Sequence, residues 1–170
     1  MKRLIMKNKK SQFYIFTAVM LCTYLFALAS AISQKVEESN KFEIIKENFA
    51  KESPIVINSA TYNKLDVSEQ FRQFTQDFIN YAKTKGSDLE ILYLLVKDNI
   101  EINNYLNTEV KINNNSLNRG ENLIVNKTDQ VTVEAYNNDY NFDISNEPLQ
   151  LKALLRAREN NNIQVYLLKK

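Results

Sequence analysis

The sequence contains no histidine and no tryptophan, only one cysteine, Cys22, and only two glycines, Gly86 and Gly120. Without histidine, a Ser-His-Asp triad, a Cys-His pair and a His-ligated zinc or haem are excluded. Two isolated glycines cannot form the glycine-rich loops of P-loop or dinucleotide-binding proteins. A lone cysteine has no partner for an intrachain disulfide. Any enzyme chemistry would therefore depend on carboxylates, lysine or tyrosine, and we predict neither catalytic residues nor a cofactor.

Acidic residues are missing from the first 36 positions, and five basic residues precede an uncharged segment at 13–32. Its 20 residues, at about 1.5 Å each in a helix, span about 30 Å, the thickness of the hydrocarbon core of a bilayer. The sequence therefore predicts a single-pass transmembrane helix over 13–32 that contacts the lipid bilayer, behind a basic leader at 1–12. Because basic flanks stay in the cytoplasm, we expect the carboxy-terminal domain to lie outside the cell.

Three interpretations of this amino-terminal region are open. A secretory signal peptide would be cleaved after Ala27-Leu28-Ala29 or Ala29-Ser30-Ala31, both small-x-small sequences. An uncleaved anchor fits the apolar run better, because that run exceeds the roughly 7–15 residues of a typical signal core. The third interpretation is a leader that a peptidase removes on the cytoplasmic side and that leaves the apolar helix in place.

The third interpretation rests on the run from Lys9 to Ile15, KKSQFYI, followed by an apolar and then amphipathic helix. This pattern resembles the amino terminus of archaeal type IV pilin-like proteins and of small uncharacterised archaeal single-pass membrane proteins. The resemblance covers about the first 40 residues, and it implies cleavage before Gln12. Ser11 stands where Gly or Ala is usual, and Phe16 stands where true pilins commonly have Glu. An anchored product is favoured.

The remainder of the chain is mildly acidic. After residue 32 there are 17 basic and 20 acidic residues, a formal charge of −3. Nucleic-acid binding needs a basic face, so we expect no nucleic-acid partner.

An amphipathic helix is predicted at 33–53, since apolar residues recur on one side of a charged segment: Ile32, Val36, Phe42, Ile45 and Phe49. Ser53-Pro54 predicts the end of this helix and the start of the next element, because proline is favoured at a first helical position. A domain boundary is therefore expected between 53 and 54, with an outer domain at 54–170. The stretch 55–62 is either a short helix or a strand, and a helix is favoured.

The next predicted helix begins at Asp66, which with Glu69 has the spacing of a capping box, and ends at Gly86. Its apolar positions recur every three or four residues: Val67, Phe71, Phe74, Phe78 and Ala82. We expect the three Phe rings to pack on a sheet as core.

After Gly86 the apolar period changes to two, which indicates strands. The segment 89–96 is apolar on both faces, as in a central strand covered on each side. Shorter strands are predicted at 100–106, 109–112, 122–125 and 130–136, with alternation at 140–144 and a hairpin formed by 149–155 and 163–168. Helices followed by strands predict an α+β fold, with a helix packed on one mainly antiparallel sheet.

Few side chains suggest a site. The alternating oxygens of residues 139–143 resemble the start of a calcium loop, but Ile144 stands where an EF-hand requires Gly, so a strand with one solvated face is favoured. Asn114 and Asn126 begin N-glycosylation sequons. Carboxylates flank the strongest strand, at Asp88, Glu90, Asp98 and Glu101, and we expect them to be solvated rather than catalytic.

The sequence thus predicts a non-enzymatic, membrane-anchored outer protein of structural or interaction type, such as a pilin-like component of a surface assembly with protein partners. The alternative is a secreted or anchored domain that binds a surface carbohydrate or protein. A carboxylate-dependent envelope hydrolase is the third hypothesis.

Overall fold

The computed structural model describes the backbone of residues 2–113, 115–159 and 162–169, and the side chains of the same residues except 2–13, 15, 31–40, 159 and 169. The chain divides into two compact units, Met1–Lys41 and Phe42–Lys170. Helix α1 (Lys2–Tyr62) provides all described residues of the first unit and enters the second. Among the residues described here, no helix has both the length and the hydropathy that a membrane crossing requires.

The second unit is α+β, as predicted. Helix α2 (Val67–Thr84) follows α1, and nine strands follow in the described residues: β1 (Asp88–Val96), β2 (Asn99–Tyr105), β3 (Val110–Ile112), β4 (Asn115–Leu117), β5 (Asn122–Asn126), β6 (Gln130–Ala135), β7 (Asn138–Asp143), β8 (Gln150–Glu159) and β9 (Asn162–Lys169). The predicted strands are present, including the β8–β9 hairpin. Strand β4 was missed, because three residues are too few to show a period.

The strands form two antiparallel sheets rather than the single sheet that was predicted. Sheet A has five strands in the order β5-β2-β1-β8-β9, and sheet B has four in the order β4-β3-β6-β7. The single-sheet prediction was wrong because an alternating pattern shows that one face of a strand is buried, but not which sheet the strand joins.

Strand β1 explains why two layers are needed. Eight of its nine residues are buried. Leu89, Ile91, Tyr93 and Leu95 belong to a core shared with both helices, whereas Leu92, Leu94 and Val96 belong to a second core shared with sheet B. The prediction of a central strand covered on both sides is confirmed, and sheet B is the second cover.

The chain passes from sheet A to sheet B at Asn104, near the end of β2. The buried Asn104 side chain donates to the carbonyl oxygens of Thr108 (3.0 Å) and Leu117 (2.9 Å), and it accepts from the Leu106 amide (2.9 Å). These three bonds satisfy backbone groups of the loop after β2 and of strand β4 in sheet B. Asn104 therefore fixes the path between the two layers.

Helix α1 does not end at Ser53-Pro54, contrary to the prediction, because Pro54 lies inside it. The Ser53 hydroxyl is buried and donates to the Phe49 carbonyl oxygen at 2.6 Å. An interior proline costs about 3 kcal/mol. Continuing the helix buries Ile57 and Ala60 in register with Phe49, and this burial offsets the cost.

The compact unit that contains both sheets extends from Phe42 to Lys170, and it includes the last part of α1. The predicted apolar stripe is confirmed at Phe42, Ile45 and Phe49, which are buried, while Ile32 and Val36 lie outside the described side chains. The helix predicted at 55–62 is confirmed as the last part of α1.

Helix α2 begins as predicted at Asp66, whose carboxylate accepts from the amides of Ser68 (2.9 Å) and Glu69 (3.4 Å). The Glu69 side chain forms an ion pair with Arg72. The predicted Phe stripe packs against α1 and sheet A, with Phe71 and Phe78 buried and Phe74 partly buried. Phe49 of α1 lies at the centre of this aromatic cluster, with its ring centroid 5.3 Å from that of Phe78.

We predict that Phe49→Ala lowers the free energy of unfolding by about 3–5 kcal/mol, because it removes a fully buried ring from a packed cluster. Equilibrium denaturation of the full chain, followed by near-ultraviolet circular dichroism, measures the change. The control is Ile44→Ala on the exposed side of the same helix, with an expected change under about 0.5 kcal/mol. Equal effects of the two substitutions would contradict the assignment of Phe49 to the core.

Candidate functional site

The most concentrated polar chemistry in the described structure surrounds Glu90, on the face of sheet A that meets sheet B. Side chains alternate along a strand, so Glu90 shares a face with Leu92 and Leu94. Arg156 shares a face with Leu154 in the neighbouring strand β8 in the same way. Glu90 and Arg156 are direct partners in the β1–β8 register, and the sequence thus folds both charges inward.

Glu90 and Arg156 form a buried ion pair. The Arg156 Nη1 atom donates to Glu90 Oε1 at 2.9 Å, and the two residues are only 3% and 6% exposed. The expectation that Glu90 is a solvated carboxylate was therefore wrong. Burial of a charged pair is favourable only where further hydrogen bonds satisfy the remaining polar atoms.

Asn107 and Tyr136 supply those hydrogen bonds. Asn107 donates its side-chain Nδ2 to Glu90 Oε1 (2.9 Å) and its backbone amide to Oε2 (3.1 Å). The Tyr136 hydroxyl also donates to Oε2. Each carboxylate oxygen thus accepts two hydrogen bonds, which is the full capacity of a carboxylate.

Tyr136 is held in an unusual backbone conformation. Tyr136 and Asn137 form the two-residue turn between β6 and β7, with φ of 53° and 62°. Such hairpin turns favour Asn or Gly, and a bulky residue there is strained by about 1–3 kcal/mol. The Arg156 guanidinium lies 3.8 Å from the centroid of the Tyr136 ring, a cation–π contact that holds the ring beneath the turn.

The Tyr136 hydroxyl titrates unusually high. Burial first, and then its hydrogen bond to the Glu90 carboxylate, raise the pKa of Tyr136 to about 12. The phenolate would be both poorly solvated and next to a carboxylate, so the neutral donor is the favoured form.

Arg119 extends the network to the loop between β4 and β5, because its Nη1 donates to Asn107 Oδ1. The network therefore joins β1 and β8 of sheet A to the β6–β7 turn of sheet B and to two loops. We name the set Glu90, Asn107, Arg119, Tyr136 and Arg156 the Glu90 network.

The Glu90 network is suited to holding its side chains in place rather than to transferring protons. A general base needs a free lone pair within reach of a substrate proton. Both Glu90 oxygens are already saturated by four donors, so the carboxylate has no lone pair to offer. The arrangement fixes the two sheets relative to each other.

The other carboxylates singled out in the sequence are not brought to this network. Asp88 and Asp98 are exposed, and Glu101 is half-buried and accepts from Asn103 Nδ2 at 3.0 Å. Asp98 and Glu101 border a depression of about 180 Å³ that also contains Lys97.

The remaining predicted sites have simple outcomes. Residues 139–143 form most of β7, with Phe142 buried and Asp139 and Asp143 exposed, which confirms the strand interpretation. In the described residues no group of three or more acidic, Cys or His side chains is placed to hold a metal ion. Asn126 is exposed at the end of β5, and Asn114 lies outside the described residues.

An apolar cavity of about 230 Å³ lies between α1 and the β8–β9 hairpin, lined by Pro54, Ile57, Asn58, Leu149, Gln150, Leu151 and Leu168. Sites for small molecules are commonly 300–1,000 Å³ and mostly apolar with a few polar groups. This cavity is smaller than that range. Gln150 turns its amide to the backbone of Ser145 and Glu147, so its polar atoms serve the loop before β8.

Comparison with known proteins adds no relative: no family model, no curated protein and no solved structure matches this chain.

The positions of Glu90 and Arg156 in the alternating pattern of their strands were a signal that the sequence analysis missed. Both charges occupy positions that the alternation assigns to a buried face. Their partners could not have been found in this way, because Asn107 and Tyr136 lie in a loop and a turn.

We predict that Glu90→Gln destabilises the fold by about 3–5 kcal/mol, because it leaves the Arg156 guanidinium buried without its counter-charge. Denaturation midpoints of the full chain measure this. The matched control is Glu134→Gln, which removes an exposed ion pair with Lys111 and should cost under about 1 kcal/mol. If Glu90→Gln costs no more than this control, the buried ion pair is refuted.

A double variant, Glu90→Met with Arg156→Leu, should recover much of the stability that Glu90→Gln loses, because it removes both buried charges.

Stability should also fall at high pH. The pKa of Tyr136 is about 12 in the folded state and about 10 in the unfolded chain. The folded state therefore holds the proton more tightly, so its contribution is complete below about pH 10 and is lost as pH rises toward 12. Burial also raises the pKa of Tyr93 and of Tyr105, so these two residues contribute to the same loss of stability. We predict that Tyr136→Phe makes this part of the stability profile less steep, while Tyr62→Phe, at an exposed tyrosine, leaves it unchanged. An unaltered slope in Tyr136→Phe would show that the folded state does not raise the pKa of this hydroxyl.

Proposed function

We propose that this protein is a single-pass membrane protein whose α+β domain lies outside the cell and serves a structural or interaction role. The supporting observation is the uncharged segment at 13–32. Its described side chains, at position 14 and positions 16–30, are all exposed. Nine of them are large and apolar: Tyr14, Phe16, Val19, Met20, Leu21, Tyr24, Leu25, Phe26 and Leu28.

An exposed apolar surface of this extent needs a cover. Soluble monomers rarely present contiguous apolar patches larger than a few hundred Å². A lipid bilayer provides a cover of matching length for 20 uncharged helical residues. The five basic residues before the segment support an orientation with the amino terminus in the cytoplasm.

A role in interaction rather than catalysis is favoured by the state of the polar groups. Glu90, the most buried carboxylate of the described residues, is saturated by its own neighbours. The apolar cavity beside α1 is small for a substrate pocket. We therefore propose contact through the surface of the domain, as in a pilin-like component of a surface assembly.

The resemblance of the leader to archaeal pilin-like proteins supports one version of this proposal, in which cleavage occurs before Gln12. The alternative, a freely secreted binding domain, requires cleavage near Ser30 or Ile32. Both versions place the α+β domain on the same side of the membrane, and they differ in whether the apolar helix is retained.

The test is a carboxy-terminal reporter. We expect alkaline phosphatase fused after Lys170 to be active and a fluorescent protein fused there to be dark, as for an exported terminus. Val19→Arg with Leu25→Arg should release the chain from the membrane fraction, because each charge costs about 2.5–3.5 kcal/mol at mid-bilayer. Matched substitutions at two exposed apolar positions further along α1, Ile44→Arg with Ile55→Arg, should leave it there.

A reporter active only in the cytosol would overturn the proposal. The mass of the mature amino terminus separates its versions: Met1 indicates a plain anchor, Gln12 a pilin-like leader, and Ser30 or Ile32 a secreted domain.

A further inference from the structure

We propose that β9 is a self-association edge, where a second copy of this chain adds its own β9 in antiparallel orientation and extends sheet A across the two copies. Each sheet presents two edge strands, and in the described structure no strand pairs with the outer side of β9. An edge strand exposes unpaired backbone donors and acceptors that another strand can satisfy.

The other three edges carry features that oppose such pairing. Strand β4 has only three residues. Strand β5 has five residues, and both its first and its last residue are Asn. Strand β7 carries exposed Asp139 and Asp143. Short strands and charged side chains are the usual means by which proteins protect an edge.

Strand β9 has less of this protection. It is eight residues long, contains no proline, and has no charged residue before Lys169 at its end. Two β-branched residues on it, Ile163 and Val165, are 53% and 45% exposed. Both lie on the face of sheet A that meets sheet B, since they pair with Arg158 and Arg156 of β8.

The sequence of β9 is complementary to itself. With a two-fold axis at Val165, antiparallel pairing sets Val165 opposite Val165 and Ile163 opposite Leu167 of the other copy. These residues have the same parity, so one apolar face continues across the junction. Lys169 is the one charged residue of β9 and does not lie opposite itself in this register, so no like charges of the two strands meet. A partner strand of different sequence is not needed to explain the pattern.

This inference rests on the proposed interaction role, because it identifies the interaction partner as a second copy of this chain. Its test measures self-association, whereas the test of the proposed function measures on which side of the membrane the domain lies. Self-association of the full chain in detergent is measured by analytical ultracentrifugation over a range of concentrations. We expect a reversible dimer. Val165→Lys should weaken it by about tenfold or more, because two like charges would face each other at the axis. The control, Ile124→Lys, places the same charge at an exposed site on the opposite edge of sheet A and should leave the dimer intact.

A disulfide reports the geometry directly. In a Cys22→Ser background, which removes the sole native cysteine, Val165→Cys should give a disulfide-linked dimer on mild oxidation, and Ile124→Cys should not. A concentration-independent monomer, a dimer unaffected by Val165→Lys, or equal cross-linking at both sites would each overturn the inference. Circular dichroism of each variant verifies that the domain is folded. A monomer with an exported domain would refute only this pairing, whereas a cytosolic domain would refute the proposed function and leave the dimer result standing.

Discussion

The burial of strand β1 on both faces is the constraint on which the rest of the unit depends. A strand with apolar residues at successive positions has no solvated face, so a cover is required on each side. The helices supply one cover through Phe49, Phe71 and Phe78, and sheet B supplies the other. The two covers have different requirements: the helices need only an apolar stripe, whereas sheet B needs the chain to leave sheet A and return. Asn104 provides one such passage by bonding the backbone at the exit from β2.

The Glu90 network follows from the same constraint. Because Glu90 and Arg156 are opposite each other on the sheet B face, covering that face removes both charges from water. The loss of hydration of these two charges is tolerated because Asn107 and Tyr136 complete the hydrogen bonding of the Glu90 carboxylate. The strained turn at Tyr136 and the ion pair therefore support each other: the ring position satisfies the carboxylate, and the guanidinium holds the ring. A network of this kind tolerates few alternative arrangements, so it specifies how the two sheets meet.

The proposed function and the proposed pairing rest on two exposed surfaces of this chain, the apolar side chains of α1 between positions 14 and 30 and the edge strand β9. The Glu90 carboxylate, in contrast, is saturated by its own neighbours. In the proposed arrangement the partners differ in kind: lipid covers the helix through the hydrophobic effect, and a second chain satisfies the backbone of β9 through directional hydrogen bonds. The first association is tolerant of sequence, while the second depends on matching residues across a two-fold axis.

Local sequence patterns determined much of this protein: the α+β class, the Asp66 cap, the Phe stripe of α2, the double burial of β1 and the β8–β9 hairpin. All of these depend on periodicity or on contacts between residues close in the chain. Only the tertiary structure decided the continuation of α1 through Pro54, the division into two sheets and the burial of Glu90. In each of these cases the stabilising contacts are made with residues distant in the sequence. Burial of Ile57 and Ala60 offsets the cost of the proline, and Asn107, Tyr136 and Arg156 make a buried carboxylate tolerable.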